Sequence, residues 1–395
     1  MVRLSAQAHF PSLVFRSERV WFEVPKRLED QVNVSGDPWL AAFLPLAVTL
    51  RRPLILDLPV DARLLANCGQ LMDWWSRWFA GLSPVLVEAD TSQPSATQPS
   101  RRTAQFFSGG VDSFYTLLNT HQSGELDIEE LLLVHGFDIP LDQQDGFDTT
   151  HYRLAHAIAP LGKPLIPIAT NLRETRFQEV NWGDMGYGCL LAAAALSLAP
   201  RFRTVLISSG LHPGHFSPSA TDPDLDPLFS THMTEFIHYG SETSRVEKMT
   251  LLASIPSAFQ HLRVCYHAYS GINCGRCLKC IFAMTLLEAM GKLEHCHAFP
   301  PGKLDLDLVR RMYVSRGETI FRLTQAYALK QGKADLAQAI EAAFQRTARI
   351  DRIWLLGWIR RFRARYRHHP GVRLATRRLR RWSYAIGDRL NRLVP

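Results

Sequence analysis

Residues 106–113 read Phe-Phe-Ser-Gly-Gly-Val-Asp-Ser, and they constrain the fold more than any other stretch of the chain. Thr103 to Phe107 ends in apolar residues suited to a buried strand, and Asp112 to Leu118 resumes with helix-compatible spacing. The two glycines therefore fall at a strand-to-helix turn. Gly109 and Gly110 permit backbone angles and a close approach that a side chain forbids, so amides of the turn, Val111 included, can point at phosphate oxygens beside the positive end of a helix. Ser108 and Ser113 add hydroxyl donors. Asp112 would repel a bare polyphosphate and fits such a cradle as the holder of a Mg²⁺ that bridges phosphates. An ordinary Gly-Gly turn is the alternative, and the order Ser-Gly-Gly-x-Asp-Ser behind an apolar strand favours the phosphate reading. No GxxxxGK[ST] loop is present, and Gly186-Tyr187-Gly188 begins a GxGxxG pattern that lacks its third glycine.

From this turn onward strands are predicted at Gln105–Phe107, Leu131–Val134, Leu165–Ile168 and Val205–Ser208, with helices near 112–120, 147–159 and 187–198. Such alternation implies a parallel sheet covered on both faces, an α/β fold with its site at the carboxyl ends of the strands. His135, Thr170, Asn171 and Ser209 to His212 would emerge there. His135 is the candidate for a nucleotide contact, and a turn residue satisfying backbone groups is an equal reading of it and of His212. Upstream, Leu13–Val24 reads as two strands, Pro38–Leu50 as a helix, Leu54–Leu58 as a strand and Ala62–Phe79 as a helix, so 1–90 is expected to form a small α/β domain. Ser-, Thr-, Gln- and Pro-rich residues 91–102 would link it to a domain at 103–291.

Cys265, Cys274, Cys277 and Cys280 give the spacing C-x8-C-x2-C-x2-C, a knuckle at 264–281. Four thiolates suit one tetrahedral Zn²⁺, and a shell filled by protein leaves no open position for water, which points to a structural rather than a catalytic ion. An iron–sulfur cluster is the alternative, since sulfur ligation alone does not separate the metals. Cys68 and Cys189 remain, Cys189 as a core residue, and Cys296 between His295 and His297 reads as a surface loop or a source of alternative ligands.

The octet resembles the PP-loop of the N-type ATP pyrophosphatases, and with the cysteine knuckle downstream it is most similar to the 7-cyano-7-deazaguanine synthases within that superfamily. The resemblance runs from about Thr103 to Gly291. It implies a Rossmann-like doubly wound sheet of the adenine nucleotide alpha hydrolase type. It also implies ATP, Mg²⁺ and Zn²⁺ as ligands, with Ser108, Gly109, Gly110, Val111, Asp112 and Ser113 around the phosphates. Ser244-Arg245-Val246-Glu247 looks like the family's Thr-Lys-Ala-Glu segment, which places Arg245 where a phosphate-facing lysine is expected and makes Asp112, Ser113 and Arg245 the catalytic candidates. Asp184-Met185-Gly186-Tyr187 stands where the family has Pro-x-Arg-Asn, and Pro223-Asp224-Leu225-Asp226 where it has Pro-Asp-Cys-Arg, so Asp226 inverts a charge. The implied activity is that of an ATP-dependent ligase. It would adenylate a carboxylate, possibly a 7-carboxy-7-deazapurine, release pyrophosphate, and transfer the acyl group to ammonia or an amine to form an amide or nitrile. A tRNA-thiolating enzyme, for which Cys189 is the one reactive-cysteine candidate in the domain, and a nucleotide-binding regulator without turnover are the rival readings.

The loop Gly210–Thr231 holds His212, His215, Asp222, Asp224, Asp226 and Ser230, and its length suits a lid or substrate clamp, while ordinary surface turns account for its Asp-Pro pairs more simply. Beyond the knuckle, Phe282–Met290 and Asp305–Ala348 look helical, an extension over 292–350. Residues 351–395 hold thirteen arginines against two aspartates, more than the whole net charge of +8, so the body is mildly acidic. That balance argues against a broad nucleic-acid face on the body. The tail reads as basic amphipathic helices suited to an anionic membrane surface, RNA or an acidic protein. No signal peptide or spanning segment is evident, which suggests a cytoplasmic setting with peripheral membrane contact through the tail. Without a cysteine at position 2 to serve as a glutaminase nucleophile, free ammonia or a separate amine donor is expected.

Overall fold

The computed structural model describes residues 1–10, 17–92, 102–210, 213–214, 218–265, 267, 272–314, 317–352 and 368. The described chain falls into two compact units, one built from residues up to Thr243 and one from Ser244 onward.

The first unit is built on a seven-stranded sheet. Its strands are β1 (Val2–His9), β2 (Ser17–Val24), β5 (Arg102–Phe106), β6 (Glu130–His135), β7 (Leu165–Thr170), β8 (Phe202–Ser208) and β9 (Glu235–Tyr239), while β3 (Leu54–Asp61) and β4 (Val87–Ser92) pair in parallel as a separate ribbon. The spatial order is β1-β2-β7-β6-β5-β8-β9. The pairs β7–β6, β6–β5, β5–β8 and β8–β9 are parallel, and β1–β2 and β2–β7 are antiparallel. From β5 the chain steps outward through β6 and β7, then returns to the other side of β5 for β8 and β9.

Helices α1 (Asp37–Leu50), α2 (Ala62–Trp78) and α5 (Tyr187–Leu196) share one hydrophobic cluster with Ala104, Phe106, Val205, Ile207 and Phe236 of the sheet. Helix α3 (Val111–Ser123) lies against β5 and β8, and α4 (Gln144–Ile158) against β7. Side chains alternate across a strand, so Ala104 and Phe106 feed the α1–α2–α5 layer while Gln105 turns to α3. Burial on both faces explains the near-continuous apolar runs of β6 and β8, in place of a polar–apolar alternation. α1 and α5 are apolar all round because each is covered on nearly every side. α2 keeps a polar face and is capped by Asp61, whose carboxylate accepts from the amides of Arg63 and Leu64.

The segments expected to form a separate domain at 1–90 join this unit instead. β2 hydrogen-bonds β7 through Phe22↔Thr170 and Glu23↔Ala169, and α1 packs on α5. The apolar face of the hairpin, with Val20, Phe22 and Val24 buried, is completed by the larger sheet. Part of the expected strand pair at 13–24 and most of the linker at 91–102 lie outside the described residues; β2 begins at Ser17. Strands β1, β4 and β9 were not foreseen.

The second unit is helical: α6 (Arg245–Ala253), α7 (Pro256–Gln260), α8 (Leu278–Ala289), α9 (Leu306–Arg310), α10 (Glu318–Lys330) and α11 (Ala334–Arg352). The expected continuous run 305–348 is thus three helices. Gly332, at φ +72°, turns the chain between α10 and α11, and Gly317, at φ +73°, precedes α10. Phe282, Phe321 and Phe344 meet in series, tilted and then edge-on, with ring centroids 4.7 and 5.9 Å apart, and join α8, α10 and α11. The Arg-rich tail lies outside the described residues apart from Asp351, Arg352 and His368. Among the described residues no helix is long and apolar enough to cross a membrane.

Gly188 of α5 lies close against the 218–231 segment, since a Cβ there would sit 1.8 Å from the carbonyl oxygen of Ala220. Gly188→Ala is therefore expected to destabilise the protein by about 3 kcal/mol, read as a lower urea midpoint; an unshifted midpoint contradicts the packing described.

Candidate functional site

The order of the parallel strands reverses direction between β5 and β8, which opens a crevice at their carboxyl ends. The 108–113 turn lies at that point. Phe107 leaves β5 with its amide bonded to the Leu132 carbonyl at 2.8 Å, and its ring meets Phe114 edge-on at 4.9 Å, which fixes the start of α3. Gly109 stands at φ +75°, and a Cβ there would lie 2.4 Å from Leu154 Cδ2, so both its conformation and its packing demand glycine. Gly110 is the extended residue before α3, and no side chain caps that helix. The Ser108 hydroxyl accepts from the Gly110 amide at 3.3 Å, and Ser113 Oγ donates to the Gly110 carbonyl at 3.1 Å. Ser108 is exposed, Asp112 half-buried and Ser113 buried. Asp112 Oδ2 is 3.8 Å from where a Gly210 Cβ would be, so a glycine at the end of β8 keeps the crevice wall low beside this carboxylate.

Sequence reasoning missed Gln105, which holds the turn from beneath. Its Nε2 donates to the Ser113 carbonyl at 2.7 Å and to Ser208 Oγ at 3.2 Å, tying β5, α3 and β8 together. One polar residue between Ala104 and Phe106 in a buried strand was the available signal.

The two remaining sequence candidates are His135 and Arg245. His135 ends β6, is buried, bonds the Pro140 carbonyl through Nε2 at 2.9 Å and stacks on Phe147 at 4.3 Å. Burial pushes its pKa down. These contacts fit the turn-residue reading of His135. Arg245 opens α6 in the second unit, after a capping box formed by Ser244 and Glu247. His212 and His215 lie outside the described residues.

Residues 218–231 form a packed segment of the first unit. The Ala220 amide bonds the Gly183 carbonyl at 3.0 Å, and Tyr187 Oη meets Thr221 Oγ1 at 2.6 Å and Ser219 Oγ at 3.3 Å. Asn67 donates to the Leu228 carbonyl and Arg63 to that of Thr231. At its centre Asp226 Oδ2 pairs with His238 Nδ1 at 2.7 Å, with side chains 0 and 1 % exposed. Burial raises the Asp226 pKa to about 6, and the hydrogen bond from His238 offsets part of that rise. Asp222 is also raised by burial. Asp226 Oδ1 and His238 Nε2 have no partner among the described residues.

In the second unit the four knuckle sulfurs lie within 4.8 Å of one another and could hold a metal such as zinc. Cys265 and Cys277 are 3.9 Å apart, as are Cys274 and Cys280, and Cys277 donates to Cys280 at 3.4 Å. A tetrahedron with metal–sulfur bonds of about 2.3 Å has edges of about 3.8 Å, so the spacing fits one ion, and it is far longer than a disulfide bond. Amides of His267, Arg276 and Cys277 point at the sulfurs of Cys265 and Cys274. The Cys277 hydrogen bond, then burial, raises the Cys280 pKa, and burial raises that of Cys274, so ionising all four thiols calls for a cation. Buried Asn273 orders the knuckle. Its Oδ1 accepts from the amides of Val264 and Cys265, and its Nδ2 donates to the carbonyls of Leu262 and Ala298. Cys296 is buried rather than in a surface loop and bonds the Phe259 carbonyl, with a pKa pushed up to about 11.

Comparison with protein-family models, curated proteins and solved structures finds no match.

Two outcomes follow from this geometry. Asn273→Leu keeps all four sulfurs and is expected to weaken metal binding roughly 10–100-fold in competition with a chromophoric chelator; unchanged affinity removes its ordering role. The second concerns Asp226, whose folded pKa near 6 exceeds its ordinary 3.8. Its contribution to stability is then complete below that ordinary value and lost as pH rises through the folded one. Asp226→Asn, always neutral, should compare more favourably with the natural chain at pH 8 than at pH 5 by about 1–2 kcal/mol in urea unfolding. An identical difference at the two pH values argues that the carboxyl titrates normally.

Proposed function

We propose that the first unit binds ATP at the 108–113 turn and uses it as an ATP-dependent ligase of the PP-loop type, and that the second unit carries a structural Zn²⁺ on Cys265, Cys274, Cys277 and Cys280. The observation that carries the reading is the position of the turn. An uncapped, glycine-led helix start lies at the carboxyl end of the strand where the sheet order reverses. The Rossmann-like character of the sheet belongs to the same proposal. Its support is the parallel order β7-β6-β5-β8-β9, with helices on both faces.

In this reading the amides and hydroxyls of 108–113 hold the β- and γ-phosphates as the leaving group, and the ionised substrate carboxylate attacks the α-phosphorus in line. Asp112 would hold Mg²⁺, which neutralises charge on the departing pyrophosphate. Its place in the first turn of α3, half-exposed beside Gly210, suits that role. The protein's contribution is positioning and electrostatics, worth most where water is excluded, and the first step needs no general base because a carboxylate is already charged at neutral pH. The acyl adenylate then passes to ammonia or an amine. The substrate class suggested by the resemblance is a 7-carboxy-7-deazapurine, and a cytoplasmic setting suits the free thiols. Thiolation is disfavoured because burial holds Cys189 well above the ordinary thiol pKa, which leaves little thiolate.

Asp112→Ala is expected to reduce AMP and pyrophosphate formation from ATP and candidate carboxylates by at least about 100-fold at an unchanged unfolding midpoint. AMP formation at undiminished rate in the folded variant overturns the reading, and ATP binding by the natural chain without pyrophosphate release, whatever the carboxylate, replaces it with a nucleotide-binding regulator.

A further inference from the structure

The Asp226–His238 pair is a costly element for a purely structural role. Burying two ionisable groups in an apolar layer seldom stabilises a fold, and each orphaned polar atom adds to the cost. His238 is the penultimate residue of β9, in register with Ile207 of β8, and shares the α1–α2–α5 side of the sheet with Phe236. It thus lies near the carboxyl edge, two strand spacings or about 10 Å from β5, which delivers the phosphate turn. Tyr187, at the start of α5, bonds Thr221 and Ser219 of the segment that carries Asp226. The other titratable groups facing the pair are Asp222 and Cys189 on α5.

The hydrogen bond also fixes the chemistry of the ring. With Nδ1–H donated to Asp226, the neutral imidazole carries its lone pair on Nε2, and Nε2 is the atom without a partner among the described residues. A buried base is thereby held in one tautomer.

We propose that His238 Nε2 accepts the proton released when an amine attacks the acyl adenylate, with Asp226 as its positioning residue. The proposal rests on the ligase reading. The amine lone pair forms the C–N bond, the carbon–oxygen bond to AMP breaks, and AMP departs with the electron pair. The extra proton on nitrogen passes to His238, and the resulting imidazolium is stabilised by the Asp226 carboxylate.

The test uses the full chain with ATP, Mg²⁺, a 7-carboxy-7-deazapurine and a series of other carboxylates. ATP–pyrophosphate exchange reads adenylation alone, and AMP formation with ammonium chloride reads adenylation plus transfer. His238→Gln is expected to lower ammonia-dependent AMP formation about 100-fold more than it lowers exchange, and Asp226→Asn about tenfold more. Should the variants fold poorly, the natural chain supplies the same answer. At fixed free ammonia, its AMP formation should fall at acid pH along a limb that its exchange profile lacks. Equal losses in both assays, or superimposable pH profiles, overturn the proposal while leaving the ligase reading intact. Absence of exchange from the natural chain with every carboxylate overturns the ligase reading, and this proposal with it.

Discussion

β5 is bonded along both edges and covered on both faces, and the rest of the first unit is arranged by that constraint. A strand with parallel neighbours on each side cannot be followed by a hairpin. The chain must leave its carboxyl end, cross a face as a helix and return at the far end. Because successive strands are laid first to one side of β5 and later to the other, the connections diverge where β5 ends. The turn that leaves it therefore faces a gap instead of the next connection. Gln105 makes this end rigid, bonding the first turn of α3 and β8 from a single side chain, so the backbone of 108–113 is held against the sheet rather than by its own hydrogen bonds alone.

The layer behind the sheet shows where the chain departs from simple packing. α1 and α5 are apolar all round and fill it efficiently, yet Asp226 and His238 are placed among them. The segment that carries Asp226 is held by Phe229 against Phe236, by hydroxyls on Tyr187 and by the Ala220 carbonyl against Gly188. These contacts are made by other atoms than the charged ones, so the segment does not need the pair in order to dock. Stability is drawn from its apolar residues and backbone, and the pair raises the cost of the assembly.

Much of the first unit was legible in the sequence because its signals are local. The strands of the parallel sheet from β5 to β8 and helices α1 to α5 follow from apolar runs and periodicity, and the four cysteines declare themselves by spacing. The N-terminal strands were harder to place. β1 alternates Val2, Leu4, Ala6 and Ala8 with polar residues, but only pairing with a distant sheet tells a hairpin of a separate domain from the edge of a larger one. The glycines of the turn could be read as a backbone requirement, whereas the collision that enforces Gly109 comes from Leu154, 45 residues away. His135 carried a plausible position and no partner in the sequence; its bond to Pro140 and its stacking on Phe147 come only with the fold. The same holds for Asp226, which marked a charge inversion in sequence and became a buried pair only once β9 was laid beside β8.

The cysteine site obeys a different logic. Cys274 and Cys277 sit on a tight turn that leads directly into α8, and Cys280 lies in the first turn of that helix, so three sulfurs are placed by local backbone alone. The fourth, Cys265, comes from irregular chain, and Asn273 holds it by bonding the amides of Val264 and Cys265. One asparagine thereby converts a sequence separation of eight residues into a fixed vertex of the tetrahedron. A metal bound there would lock α8, whose Phe282 meets Phe321 of α10. Metal affinity and the folding of the helical unit are then expressions of the same free energy, which is how a site with a closed shell contributes without touching a substrate.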